Sequence, residues 1–144
     1  MTLEADFLDP RRYRWTMDVN TRYADLDPNR HVNNVAIAAL FEDARARIDW
    51  SAPFREGLGG RTAAVVAHDL RYREEVNWPA PLTLCFGVTE IGRSSWTIAS
   101  LLIQHDSVRA TSRAVMVCTL DERSTPLPES CRRILESYLL RSPS

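Results

Sequence analysis

Three consecutive segments, residues 82–91, 96–105 and 108–120, restrict what this chain can fold into more than any other feature. Each reads as a strand. Leu82, Leu84, Phe86 and Val88 share one face of the first, and "WTIASLLIQH" and "VRATSRAVMVCTL" follow it. Only the turns "GRSS" (92–95) and "HDSV" (105–108) separate them. A parallel crossover needs a dozen or more residues, so connections this short force an antiparallel meander.

The other segments must pack on that meander. Residues 1–13 read as a loose lead-in. From Arg14 to Tyr23 the pattern alternates, with Trp15, Met17, Val19 and Tyr23 on one face of a half-buried strand. In "NVAIAALFEDARARIDW" the residues Ile37, Leu40, Phe41, Ala44 and Ile48 recur at helical spacing, and Asn33 or Asn34 is the expected N-cap. Pro53 and the glycines at 57, 59 and 60 are expected to end that helix in a loop. A further strand follows Arg61 until "NWPAP" breaks it, because proline cannot join a central ladder. "CRRILESYLL" reads as a terminal helix over about 129–140. The sum is an α+β fold, one antiparallel sheet with a long helix on its inner face. One helix leaves the other face or an edge of such a sheet poorly covered, which points to dimerisation through the sheet.

The chain's 144 residues, 44% hydrophobic and 26% charged, suit a single domain over 1–144 with its core at about 14–121. Eighteen basic residues face 19 acidic ones, for a net charge of −1, so there is no basic excess of the kind nucleic-acid binding requires. Every basic residue is arginine, which removes Schiff-base chemistry and a lysine base. Cys85, Cys118 and Cys131 are odd in number and widely spaced, and are expected to be packing residues rather than a disulfide framework or a zinc site. His31, His68 and His105 lack ligand spacing, and no metal is expected. The N-terminus does not resemble a signal peptide and no segment approaches the length of a membrane span, so a cytoplasmic setting with no membrane partner is expected.

The densest polar stretch, "DLDPNRHVNN" (25–34), lies directly before the helix. One reading is purely structural, since Asp, Asn and Pro favour turns and caps. A calcium loop fails, because Arg30 and Ala36 stand where an EF-hand needs glycine and glutamate. There is no GxSxG elbow, Walker A or GxGxxG. What remains is Asp27-x-Asn29-x-His31 before a helix N-terminus. A carboxylate can attack or activate water, asparagine can orient a water or carbonyl, and histidine can move a proton. Free helix N–H groups can receive an oxyanion. These parts suffice for acyl transfer without a serine or cysteine.

"RYADLDPNRHVNNVAIAALFEDAR" resembles the signature of hotdog-fold thioesterases of the 4-hydroxybenzoyl-CoA thioesterase superfamily, in particular the acyl-CoA and acyl-ACP branch with D-x-D-x-N-x-H-V-N-N followed by E-x-A-R. The resemblance implies a five-stranded antiparallel sheet wrapped around the helix at 34–50, and a dimer or higher homo-oligomer with active sites between subunits. It implies hydrolysis of an acyl-CoA or acyl-ACP thioester with no cofactor, CoA being part of the substrate. Asp27 matches the catalytic carboxylate, as nucleophile or as base. Asn29 and His31 match its polar partners, and the backbone N–H near Asn34 matches the group that polarises the thioester carbonyl. The "GRSSW" turn makes Arg93, Ser94 and Ser95 candidate contacts to the CoA arm, with Arg71, Arg73 and Arg113 as alternatives to Arg93. Glu42 is expected to pair with Arg45 or Arg47, although a helix glutamate is the catalytic carboxylate of another subtype. A hotdog module that holds acyl-CoA without hydrolysing it is the alternative, and a hydratase a more distant one.

Overall fold

The computed structural model describes residues 5–143. Short 3-10 turns at Ala5–Leu8 and Pro10–Arg12 lead into β1 (Trp15–Val19), and another at Tyr23–Asp25 precedes α1 (Asn34–Asp49). Then come α2 (Ala52–Leu58), β2 (Thr62–Tyr72), β3 (Leu82–Ile91), β4 (Ser95–Gln104), β5 (Ser107–Leu120), β6 (Arg123–Ser124) and α3 (Glu129–Glu136). The sheet has the order β1-β3-β4-β5-β2, every pair is antiparallel, and β6 folds back on the end of β5. The meander β3-β4-β5 therefore forms its centre, as its short turns require. The two strands that precede it in sequence become the edges.

α1 starts where Asn33, in extended conformation, accepts the Ala36 N–H on its side-chain oxygen at 2.8 Å. Its Ile37, Phe41, Ala44 and Ile48 are buried at three-to-four-residue spacing. They join one core with Leu82, Leu84, Phe86, Trp96, Ile98, Leu102 and Met116 on the inner face of the sheet. The outer face carries a smaller cluster of Tyr13, Cys85, Ala99 and Leu101, covered by Leu8, Val108 and Leu140. Both chain ends thus shield the face opposite α1. The three cysteines are buried free thiols.

Several expectations need correction. Residues 52–58 form a helix, not a loop. Pro53 falls in the first turn, where its missing N–H loses nothing, Phe54 and Leu58 bury one helical turn apart, and Gly59 ends the helix at φ 56°. The first strand stops at Val19, and Tyr23 lies in a 3-10 turn with its side chain 71% exposed. α1 ends at Asp49 with Trp50 as its C-cap, one residue short of 34–50. The terminal helix ends at Glu136, and the chain after it extends along β3, with Val88 N–H donating to the Tyr138 carbonyl (2.9 Å) and Leu140 N–H to the Val88 carbonyl (3.2 Å). Among the described residues no helix is long and apolar enough to cross a membrane.

Candidate functional site

The polar loop is closed by its own backbone. Leu26 and Val32 form an isolated antiparallel bridge, the Asp27 N–H donates to the His31 carbonyl at 2.9 Å, and the Arg30 N–H to the Asp27 carbonyl at 2.9 Å. Arg30 takes the left-handed conformation, φ 65°, at the tip. Within this ring, Oδ1 of Asp27 accepts the N–H of Asn29 (2.9 Å) and of His31 (3.1 Å). Those two bonds fix the carboxylate plane. Oδ2 has no protein partner among the described residues and is available to a ligand.

Asp25 has a different task. Its carboxylate accepts the backbone and guanidinium N–H groups of Arg22, at 2.8 and 3.0 Å, and these hydrogen bonds hold its carboxyl below the usual range. Its carbonyl accepts the Asn33 N–H at 2.8 Å, tying the loop to the start of α1. Of the two aspartates, only Asp27 has an uncommitted oxygen.

Two residues outside the sequence motif complete the site. β2 runs alongside α1, so Tyr72 donates its hydroxyl to the Asn34 carbonyl at 3.0 Å. Just beyond β2, Glu75 Oε2 lies 2.9 Å from His31 Nε2. The Val32 N–H donates to the Val76 carbonyl at 2.9 Å, and Arg109 donates to the Glu75 carbonyl at 2.9 Å. Both bonds hold the 75–76 backbone against the loop. Asp27, Asn29, His31, Asn34, Tyr72 and Glu75 line a common open cavity of about 390 Å³. The Ala36 N–H is taken by Asn33, and the N–H groups of Asn34 and Val35 are the first-turn donors that the helix itself cannot satisfy. An oxygen placed there meets the positive end of the helix dipole.

The remaining candidates lie elsewhere. Ser95 pairs with Val117, whereas Tyr72 pairs with Ala110, seven residues along β5. At about 3.3 Å per residue the turn at Arg93, Ser94 and Ser95 is on the order of 20 Å from the Asp27 cavity in the same chain. There the Ser94 carbonyl accepts the Cys118 N–H and the Arg93 carbonyl accepts the Leu127 N–H, while the Arg93 side chain is exposed. Arg71 is paired with Asp69, and Arg113 with Glu90. Arg73 lines the cavity itself. Glu42 is exposed and makes no side-chain hydrogen bond among the described residues, and Arg47 pairs with Asp43 instead. Glu42 acts on buried Arg45 only by charge, from a distance.

Comparison with known proteins gives this geometry a context. A thioesterase from Thermus thermophilus, complexed with coenzyme A and zinc, superposes with a TM-score of 0.77 at 26% identity, covering 88% of this chain and 95% of that one. A protein described as a predicted thioesterase from Bacillus stearothermophilus gives 0.78 at 24% identity, covering 89% and 98%. A Staphylococcus aureus protein solved in complex with CoA gives 0.77 at 19% identity, covering 85% and 82%. No functionally curated protein matches the sequence. The antiparallel sheet curled around α1 is the hotdog fold. The family model for the thioesterase-like superfamily matches residues 21–135, from the polar loop to α3, and the chain belongs to that superfamily.

Proposed function

We propose that this protein hydrolyses an acyl-CoA or acyl-ACP thioester to a carboxylic acid and a free thiol, with no cofactor of its own. The observation that carries this reading is the Asp27 carboxylate, held by Oδ1 and open at Oδ2, beside the unsatisfied N–H groups of α1. A thioester carbonyl oxygen on the Asn34 end of the helix would be polarised as charge develops on it. Asp27 would take a proton from the water that attacks the carbonyl carbon, or attack that carbon itself to form a mixed anhydride that water then hydrolyses, and in either route the C–S bond breaks as the thiolate leaves. His31, 2.9 Å from Glu75, would give a proton to that sulfur, and Asn29 would orient the water. A cytoplasmic location belongs to the same proposal and suits three free thiols.

Arg93, Ser94 and Ser95, on the order of 20 Å from Asp27 in the same chain, would meet the nucleotide end of an extended CoA rather than the thioester, or would enter the site from a second copy of the chain. Support for a dimer comes from β2, an 11-residue edge strand with Val65 and Val66 47% and 60% exposed. One observation favours the alternative of a non-catalytic acyl-CoA-binding module: Asp27 already has a structural use as the cap of its own loop. Asp27→Asn separates the two readings, because asparagine keeps the Oδ1 acceptor and removes the charge. Thiol release from a panel of acyl-CoAs should fall at least about 100-fold with an unchanged circular dichroism spectrum. Activity within a few-fold of the unsubstituted protein would take Asp27 out of the mechanism, and no thiol release from either protein would leave the binding module.

A further inference from the structure

A second concave site lies at the other end of α1. A groove of about 490 Å³ opens between β1, the last turn of α1 and the segment after α3. Trp15, Met17 and Phe86 come from the sheet, Tyr138 from the C-terminal segment, Trp50 from the α1 C-cap, and Arg47 stands among them. The rings of Trp15, Phe86 and Tyr138 lie within 26° of parallel, with centroids 5.1 to 6.4 Å apart, and stack into one apolar wall. Trp15 is 47% and Trp50 69% exposed. Aromatic surface left open around a concavity of this size is a ligand site rather than a core. Along α1, at about 1.5 Å per residue, Ala46 is about 18 Å from Asn34, so the groove is separate from the Asp27 cavity. It also flanks β1, the sheet edge opposite β2, and pairing of β2 with another chain leaves it open.

Charge selects the occupant. Among the described residues Arg47 is the one ionised group that lines the groove and no carboxylate lines it, while the Arg55 guanidinium, 3.5 Å from the Trp50 ring centroid, adds a second positive charge at its rim. The Arg47 Nε is held by Asp43 one turn earlier at 3.0 Å, which steadies the guanidinium, and 61% of its side chain is exposed. The remaining N–H donors of that fork are suited to a second carboxylate. A cationic ligand would meet Arg47, and a purely apolar one would leave those donors unused. We infer that the groove binds an apolar carboxylic acid, with its tail along the Trp15, Phe86 and Tyr138 wall and its carboxylate on Arg47. The reaction proposed above would release acids of this class, but the binding does not rest on that reading.

Met17 provides a local probe, because its thioether lines the groove whereas Met116 is in the core. Protein labelled with 13C at the methionine methyls is titrated with decanoate, 4-phenylbutyrate and decanol, with the Met17 signal assigned through Met17→Leu. The Met17 methyl should shift saturably with at least one of the two acids, and the acid that binds identifies the tail as alkyl or aryl. Arg47→Gln should weaken that binding at least about fivefold, the scale of one exposed charge contact, while decanol should bind the unsubstituted protein no better than the acid binds the variant. Trp50→Ala, which removes the exposed ring at the α1 C-cap and with it the platform under the Arg55 guanidinium, should weaken all ligands together. The Asp27→Asn protein should bind as the unsubstituted one does, which separates this site from the candidate active site. A Met17 signal unmoved by both acids at millimolar concentration, decanol binding as tightly as the acid that binds, or loss of binding in Asp27→Asn would each overturn the assignment.

Discussion

Asp49, the last residue of α1, is 5% exposed, and its Oδ1 has no hydrogen-bond partner. Burial pushes its carboxyl up to about 7, against the pull of Arg55 and Arg45. Its place at a helix C-terminus further disfavours a negative charge. In the unfolded chain this carboxyl titrates near 3.8. Between those two values the folded state holds the proton more tightly, so the group's stabilising contribution is complete below about pH 4 and is lost as pH rises to about 7. At about 1.4 kcal/mol per pH unit, the loss is at most about 4 kcal/mol. Asp49→Asn should therefore unfold at higher urea than the unsubstituted protein at pH 8, by about 1–3 kcal/mol, and at the same urea at pH 4. Equal midpoints at pH 8 would show that Asp49 is ionised and paired in the folded protein. Residue patterns in the sequence disclosed Asp27, Asn29 and His31, because all three lie within one decapeptide. Glu75 and Tyr72 were not legible, since nothing local marks them. They reach the loop only because β2 lies beside α1.

At the scale of elements, the C-terminal segment docks onto β3 through a close approach at Gly87. A Cβ there would lie 2.6 Å from Leu140 Cδ2 and 2.9 Å from the Tyr138 carbonyl oxygen. Gly87→Ala must push the segment off the strand, and both Val88 ladder bonds go with it. The expected cost is about 1–3 kcal/mol, with fast hydrogen exchange at Val88 and Leu140 while β4 stays protected. Unchanged exchange at those two amides would mean that the segment shifts without undocking. The meander was legible almost to the residue, because alternation and short turns leave no other topology. α2 escapes the sequence pattern for a definite reason: Pro53 and the glycines at 57, 59 and 60 are loop signals. Proline suits a first helical turn, and the Phe54–Leu58 spacing with Gly59 behind it was the signal available. Tyr138 and Leu139 keep helical spacing with Ile134 and Leu135, and periodicity alone could not show that the backbone changes course after Glu136.

For the whole molecule, the separation of the 92–95 turn from Asp27 makes association a functional question. Val66 is the most exposed valine of the long β2 edge. A lysine there would put a charge into a paired edge from both copies, so Val66→Lys should shift sedimentation from dimer to monomer and abolish thiol release together. A monomer of full activity would remove the second chain from the site. Arg93→Ala tests the same geometry from the other side. It should raise KM for acyl-CoA more than it lowers kcat and flatten the salt dependence of KM, because exposed charge contacts weaken with ionic strength. An equal loss with acyl-pantetheine, which lacks the nucleotide phosphates, would assign Arg93 to stability instead. Spatial strand order was beyond the sequence pattern, as alternation tells which residues are buried but not which distant strands are neighbours.

The order β1-β3-β4-β5-β2 also has a consequence in time. On the ribosome the chain emerges from its N-terminus, and its first 81 residues contain both sheet edges, α1 and the Asp27 loop, but no strand to which β1 or β2 can pair. β1 must wait for β3, and β2 must wait for β5. At about 5–20 residues per second that interval lasts seconds, during which the apolar faces of α1 and the edge strands have no sheet to cover them. The meander folds as it appears, and the polar loop acquires its geometry only when Glu75 and Val76 are fixed beside it by the completed sheet. The candidate site would then be complete only once β5, made about 40 residues after β2, has closed the sheet.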